Sequence, residues 1–249
     1  MDGFSWVWLA GAALAAGALN ALAGGGSFLT FPALVFTGVP PIVANATSAL
    51  AVSPGYFGST LGFRRELQTL PARRLRLEAG IAATGGVLGA LLLLVTPPQA
   101  FRALVPWLLL LATAIFILGP TLTRRLGHGA QNRPRLRVWG LLAVSIYGGY
   151  FNGGLGILLM ALYAATGEDD VHRANALKNL NSLVLSVLSV LTFALAGTIA
   201  WGPAALMAVA ATLGGYLGAR GARRLPAAAV RAAVIATGLT MTAVFMFRA

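Results

Sequence analysis

The sequence predicts an all-α polytopic membrane protein, with about ten hydrophobic segments forming two inverted-topology five-segment repeats. Three observations carry that prediction. Apolar stretches repeatedly reach the roughly 20 residues that cross a bilayer core. Two much shorter apolar stretches each follow a glycine cluster, the pattern of broken or re-entrant helices. Landmarks of the first half also recur in the second at a nearly constant spacing. Composition agrees: of 249 residues 58% are hydrophobic and 10% charged, with mean hydropathy +0.81. A soluble domain would carry about 25% charged residues. The apolar runs are continuous and do not alternate, which selects helices over barrel strands.

Taken in order, the segments are 4–22, 24–37, 42–63, 77–96, 101–122, 138–151, 153–166, 174–197, 203–219 and 231–247. The first begins within the N-terminal stretch MDGFSWVWLAG, which lacks the positive region of a signal peptide, so it is read as a retained span. Segments 24–37 and 153–166 hold only 14 residues each. As helices they would extend roughly 21 Å, short of the ~30 Å core. One follows Gly24-Gly25-Gly26, the other Asn152-Gly153-Gly154.

The repeat is visible residue by residue. Gly25 and Gly26 match Gly153 and Gly154 at a separation of 128, as Ala33-Leu34 match Ala161-Leu162. Ala44-Asn45-Ala46 match Ala174-Asn175-Ala176 at 130, and GGVLGA (85–90) matches GGYLGA (214–219) at 129. The chain therefore divides into a first membrane repeat (1–122), a basic linker (123–137) and a second membrane repeat (138–249). Small residues at four-residue spacing make GGVLGA and GGYLGA helix-packing faces.

The formal charge of +12 would suggest nucleic acid in a soluble protein, but here the arginines cluster in short loops between spans, as the positive-inside rule requires. Placing loops 64–76, 123–137, 167–173 and 220–231 in the cytoplasm puts 15 of the 18 basic residues inside. Both termini then face outward. Loop 64–76 is arginine-rich while its counterpart near 197–203 has none; loop 220–231 is arginine-rich while its counterpart at 97–102 holds only Arg102. The charged side thus swaps between halves, as inversion by an odd number of segments demands. Trp6, Trp8, Trp107, Trp139 and Trp201 fall near span ends, an aromatic belt.

Lys178 is the basic residue left within a span. At 100° per residue, Asn175, Lys178, Asn179 and Ser182 share one helical arc, with Asn181 just off its edge. Such a face inside a membrane points into the bundle or a watery cavity and is a functional candidate. A cation, amide and hydroxyl donors, and the positive end of a helix together suit an anion. The first half has a quieter version: Asn45 matches Asn175 and Ser48 takes the place of Lys178, with Thr47 and Ser53 nearby. Alternatively, Lys178 snorkels to the headgroups and the asparagines bond helix to helix. Gly25, Gly26, Gly153 and Gly154 could line a site or simply pack.

Other chemistry is poorly supported. With no cysteine there is no thiol catalysis or iron–sulfur site, and no metal site or cofactor is expected. All six acids lie in loops or at span edges, which disfavours a carboxylate proton relay and a cationic cargo. His128 and His172 lie in loops, so a serine hydrolase built on Ser53 or Ser59 would lack a base.

The stretches NALAGGGSFLTFPALVFTGVPPIVANATSALAV (20–52) and FNGGLGILLMALYAATGEDDVHRANALKNLNSL (151–183) resemble the TauE/SafE family of sulfite and organosulfonate exporters. The resemblance extends over essentially the whole chain. It implies a multi-pass protein of a bacterial-type inner membrane that carries a sulfur-containing oxyanion such as sulfite or sulfoacetate. By motif position it implies that Asn45, Thr47, Ser48, Asn175, Lys178 and Asn179 line a central site. The expected partners are that small anion and the lipid bilayer, with no nucleic acid; a homodimer stays open. A passive anion channel, or an assembly factor without cargo, is the alternative.

Overall fold

The computed structural model describes residues 2–23, 26–127, 133–221 and 227–248. Among them it holds eleven helices and no strand. They are α1 (Gly3–Ala23), α2 (Ser27–Phe36), α3 (Pro41–Gly62), α4 (Arg64–Gln68), α5 (Ala72–Val95) and α6 (Pro98–Gly127), then α7 (Pro134–Tyr150), α8 (Leu155–Ala165), α9 (Val171–Leu195), α10 (Trp201–Gly221) and α11 (Ala227–Arg248). Each expected segment has its helix. The ends differ most at the arginine-rich stretch 64–76, expected as a loop, which α4 and the start of α5 occupy. Arginine, leucine and glutamate are good helix formers, so the helix continues past the apolar run. Prolines mark several starts, at Pro41, Pro98 and Pro134, where the missing N–H costs nothing.

Four helices among the described residues are long and apolar enough to cross a membrane: α1, α5, α6 and α9. Outward faces carry large apolar side chains, for example Leu92, Trp107, Leu191 and Val209, each at least half exposed. A surface of that kind is matched to lipid.

The packing exchanges elements between the two halves of the chain. α1 packs on α10, and its counterpart α7 packs on α5. α3 lies on both α9 and α10, while α9 lies on both α3 and α5. α6 contacts α8, α11 contacts α2, and α6 and α11 contact each other. One buried core joins α1, α2, α3, α6 and α10 with the last turns of α5 and α9, around Leu9, Phe28, Phe31, Leu93, Phe101, Phe193 and Met207. A second joins α5, α7, α8 and α9 around Ala82, Leu141, Leu159, Tyr163 and Leu177.

Glycines allow the closest of these crossings. A Cβ on Gly214 would overlap the backbone of Leu14, and one on Gly17 the backbone of Ala211. In the matching pair, a Cβ on Gly89 would overlap Ile146, and one on Gly149 would overlap Gly86. GGVLGA and GGYLGA are therefore packing faces, each seated on the first helix of the opposite half. Helices in lipid have no hydrophobic drive toward each other, so close backbone approach supplies the attraction.

Candidate functional site

α2 and α8 have 10 and 11 residues, so each extends about 15–16 Å, roughly half a bilayer core. Both begin beside the middle of longer helices. A Cβ on Gly26 would lie 3.0 Å from the Ala16 carbonyl in α1 and 3.5 Å from Val52 in α3. One on Gly154 would lie 3.5 Å from the Ala112 carbonyl in α6. Gly154 has φ +75° in the left-handed region, which glycine adopts without steric cost; that turn reverses the chain between α7 and α8.

The two starts meet. Ser27 Oγ, on the first residue of α2, donates to the Asn152 carbonyl at 3.3 Å. Tyr56 OH, from α3, donates to Asn152 Oδ1 at 3.2 Å. Asn45 Nδ2 reaches the Tyr150 carbonyl at 3.0 Å, and Tyr147 OH reaches that of Gly153 at 2.7 Å. Thr30 and Ser48 share a hydrogen bond of 2.6 Å. Nearby, α3 and α9 are joined by Ser53 and Ser186, 2.7 Å apart. Neither α2 nor α8 has a side-chain cap, so first-turn N–H groups and the positive ends of two helix dipoles converge on one buried, hydroxyl-rich junction.

The sequence-predicted residues divide between this junction and other places. Asn45, Ser48, Gly26, Gly153 and Gly154 belong to it. Gly25, like Gly24 and His128, lies outside the described residues. Thr47, also buried, accepts from the Ala200 amide at 3.0 Å and so ties α3 to the turn before α10. On α9, Lys178 Nζ donates to Asn175 Oδ1 at 3.1 Å, while Asn175 Nδ2 donates to the Val171 carbonyl. These bonds run back toward the start of α9. Asn179 and Ser182 are buried, and Ser182 Oγ has no partner. Ser27, Thr30, Tyr56, Tyr147 and Asn152 were not singled out as site residues. Each is a single polar side chain in an apolar run, and what it meets depends on helix crossings.

One expectation is corrected. Glu78 was placed among acids at loops or span edges, yet it is 3% exposed in the second turn of α5. Its Oε1 accepts from Arg74 Nε at 2.9 Å; its Oε2 accepts from Tyr163 OH at 2.9 Å and Asn181 Nδ2 at 3.3 Å. Glu168 accepts from Arg74 Nη2 at 2.6 Å. Arg137 Nη1 stands 4.0 Å from Glu78 and 3.8 Å from Glu168. A buried carboxylate is tolerable when paired and hydrogen-bonded in this way. Asn181, off the predicted polar arc of α9, is the residue of that helix that faces the charges. At the start of α9, Asp170 accepts from the amides of Arg173 and His172, which hold its carboxyl below the usual range.

The family described as "Sulfite exporter TauE/SafE" matches residues 9–246. Among curated proteins, the chain is 29% identical to "Probable membrane transporter protein YfcA" of Escherichia coli (strain K12) over 216 residues, covering 84% of this chain and 77% of the relative. It is 29% identical to "Probable membrane transporter protein ORF9" of Sinorhizobium sp over 212 residues, covering 84% and 80%. It is 26% identical to "Probable membrane transporter protein" of Haemophilus influenzae over 232 residues, covering 92% and 89%. No solved structure matches it. With a family match over nearly the whole chain, relatives named as probable membrane transporters and helices suited to a bilayer, the protein belongs to the TauE/SafE sulfite exporter family and is a membrane transporter.

Proposed function

We propose that the protein is a secondary transporter that exports small sulfur-containing anions, such as sulfite, sulfoacetate or other organosulfonates. The cargo binds where α2 and α8 begin. The observation that carries this reading is the contact of two uncapped helix starts, through Ser27 and Asn152, beside the middles of α1, α3 and α6. First-turn N–H groups and two positive dipole ends suit a sulfite or sulfonate oxyanion without a fixed counter-charge at the junction to trap it. Half-helices meeting at mid-membrane are the usual construction of an inverted-repeat carrier.

The two membrane repeats, 1–122 and 138–249, joined by the linker 123–137, lie in opposite orientation with both termini outside. The arginine distribution and the reciprocal exchange of α5 and α10 support that arrangement. Alternating access then consists of the two inverted units rocking about that midplane anion site. Asn45 and Ser48 serve the junction directly; Asn175, Lys178 and Asn179 line the approach from the start of α9, where Lys178 draws anions in.

The test is calorimetric binding of sulfoacetate, sulfite, taurine and acetate to purified wild-type protein, Asn152→Ala and Lys178→Ala. Sulfonate binding is expected in the wild type, lost in Asn152→Ala and weakened in Lys178→Ala. Binding that survives Asn152→Ala but disappears in Lys178→Ala would move the site to the start of α9. Binding of none of the four anions would refute the cargo class. Counterflow in proteoliposomes separates a carrier from a passive pore.

A further inference from the structure

The buried charges around Glu78 lie apart from the helix-start junction, and the transport reading leaves them without a role. Arg74 and Glu78 come from α5, Arg137 from α7, Tyr163 from α8, Asn181 from α9 and Glu168 from the turn after α8. Two guanidinium groups face two carboxylates, so the cluster is balanced in charge. Its bonds are directional: Asn181 Nδ2 also donates to Tyr163 OH at 2.6 Å, although Asn181 Oδ1 is left without a partner.

The attachments concentrate on one end of α8. Tyr163 is in its last turns, Thr166 is its C-cap and Glu168 lies just beyond. Arg137 donates to Thr166 twice, to Oγ1 at 3.1 Å and to the carbonyl at 2.8 Å. A cation there satisfies a terminal carbonyl and complements the negative end of the helix dipole. The opposite end of the same helix, about 16 Å away, is the Asn152–Leu155 wall of the junction. Whatever fixes the C-terminal end of so short a helix also fixes its start.

The other half-helix is held differently. In the repeat register, Tyr163 matches Val35, Asn181 matches Ala51 and Glu78 matches Met207. All three matches are apolar; Ala51 and Met207 are fully buried. Beyond the Ser27–Asn152 and Thr30–Ser48 hydrogen bonds of its first turn, α2 is held by ring contacts, Phe28 against Phe116 and Phe31 against Phe151 and Phe245, with no ion pair. Pro32 removes one amide donor from within α2. Apolar packing sets distance but tolerates sliding, whereas hydrogen-bonded ion pairs set rotation and register.

We propose that the Arg74–Glu78–Arg137–Glu168 cluster, with Tyr163 and Asn181, is a positioning clamp that fixes α8 as the static wall of the transport site, leaving α2 as the wall that adjusts to cargo. This rests on the reading of the α2–α8 junction as that site. Glu78 and Arg137 act through α8 and do not touch cargo.

Amide hydrogen exchange on the protein in lipid nanodiscs, with no anion added, tests the clamp. In the wild type, α8 amides are expected to exchange more slowly than those of α2. Glu78→Gln should raise exchange in α8 by about tenfold or more, while α2 and the glycine-locked pair α1 and α10 keep their rates. Tyr163→Phe removes one hydroxyl and is the variant to use should Glu78→Gln fail to fold; it should shift α8 in the same direction by a smaller factor. Equal exchange in wild-type α2 and α8 would overturn the proposal. So would a variant that loosens all helices together, or one that leaves α8 unchanged. In sulfoacetate transport, Tyr163→Phe should raise KM several-fold with a smaller change in maximal rate. Exchange needs no cargo, so absence of sulfoacetate transport would sink the cargo assignment while the clamp is judged on exchange alone.

Discussion

Gly86→Ala puts the packing argument at risk in a single methyl group. A Cβ at Gly86 would sit 2.7 Å from the Leu185 carbonyl oxygen and 2.9 Å from its Cα. Both are backbone atoms of α9 and cannot rotate away. Ordinary contact starts near 3.4 Å, so α5 and α9 must part by about 0.7 Å, a strain typical of overpacking. The same motion stretches the bond from Ser189 Oγ to the Gly86 carbonyl, now 3.0 Å, to about 3.7 Å, beyond hydrogen-bond range. Ser189 keeps its second acceptor, the Leu185 carbonyl, so that loss is only about 0.6 kcal/mol. Overpacking costs ~1–3 kcal/mol, and replacing glycine by alanine within a helix returns ~1 kcal/mol. The net is a destabilisation of about 0.6–2.6 kcal/mol, roughly 1–10 °C in melting temperature for a chain of this size.

The assay is thermal unfolding in detergent beside Gly80→Ala, a control on the same helix whose Cβ would meet nothing within 4 Å. That control should be neutral or stabilise by up to ~1 kcal/mol. If Gly86→Ala melts with Gly80→Ala, at or above the wild type, α5 and α9 are not in the contact described.

Two further outcomes follow from named contacts. Ser53→Ala and Ser186→Ala each break the same bond between α3 and α9, so each should cost about 0.6–1.7 kcal/mol in thermal unfolding. The double variant should cost little more than either single one; additive losses would refute the pairing. Asp170→Ala removes the hydrogen-bonded start of α9. Because the folded carboxyl is held below its unfolded value, its contribution is complete above the unfolded value of about 3.9 and is lost as pH falls through the folded one. The variant should therefore melt lower than the wild type at pH 7, with the gap closing as pH drops below ~4. A gap that persists at the lowest pH would refute the charge-based cap.

Much of the architecture was legible in the amino-acid order. Spans are set by the length of apolar runs, because a bilayer demands a fixed helical rise. Asn45 matching Asn175 and GGVLGA matching GGYLGA are what suggest a repeat. The glycine faces were recognisable because only small residues let backbones touch, and the short segments because a half-length helix cannot cross. Of the five tryptophans expected in a belt, Trp6, Trp8, Trp139 and Trp201 stand exposed within the first two turns of α1, α7 and α10, whereas Trp107 is exposed in the third turn of α6.

What periodicity could not supply is the identity of each face's partner. A helix's sequence fixes which side is polar; the crossing of helices far apart in the chain decides what that side meets. Ser27 finds Asn152 across 125 positions, and Glu78 finds Asn181 across 103. An acid two turns into a helix reads as an edge charge when no partner is in sight. It becomes a tolerable buried ion only where tertiary packing brings arginine, tyrosine and asparagine around it, because the cost of removing a carboxylate from water is met by those bonds and by nothing local. The sequence alone determined the helical segments and the small-residue seams. Only the tertiary structure decided where the two half-helices meet and which charges hold one of them in place.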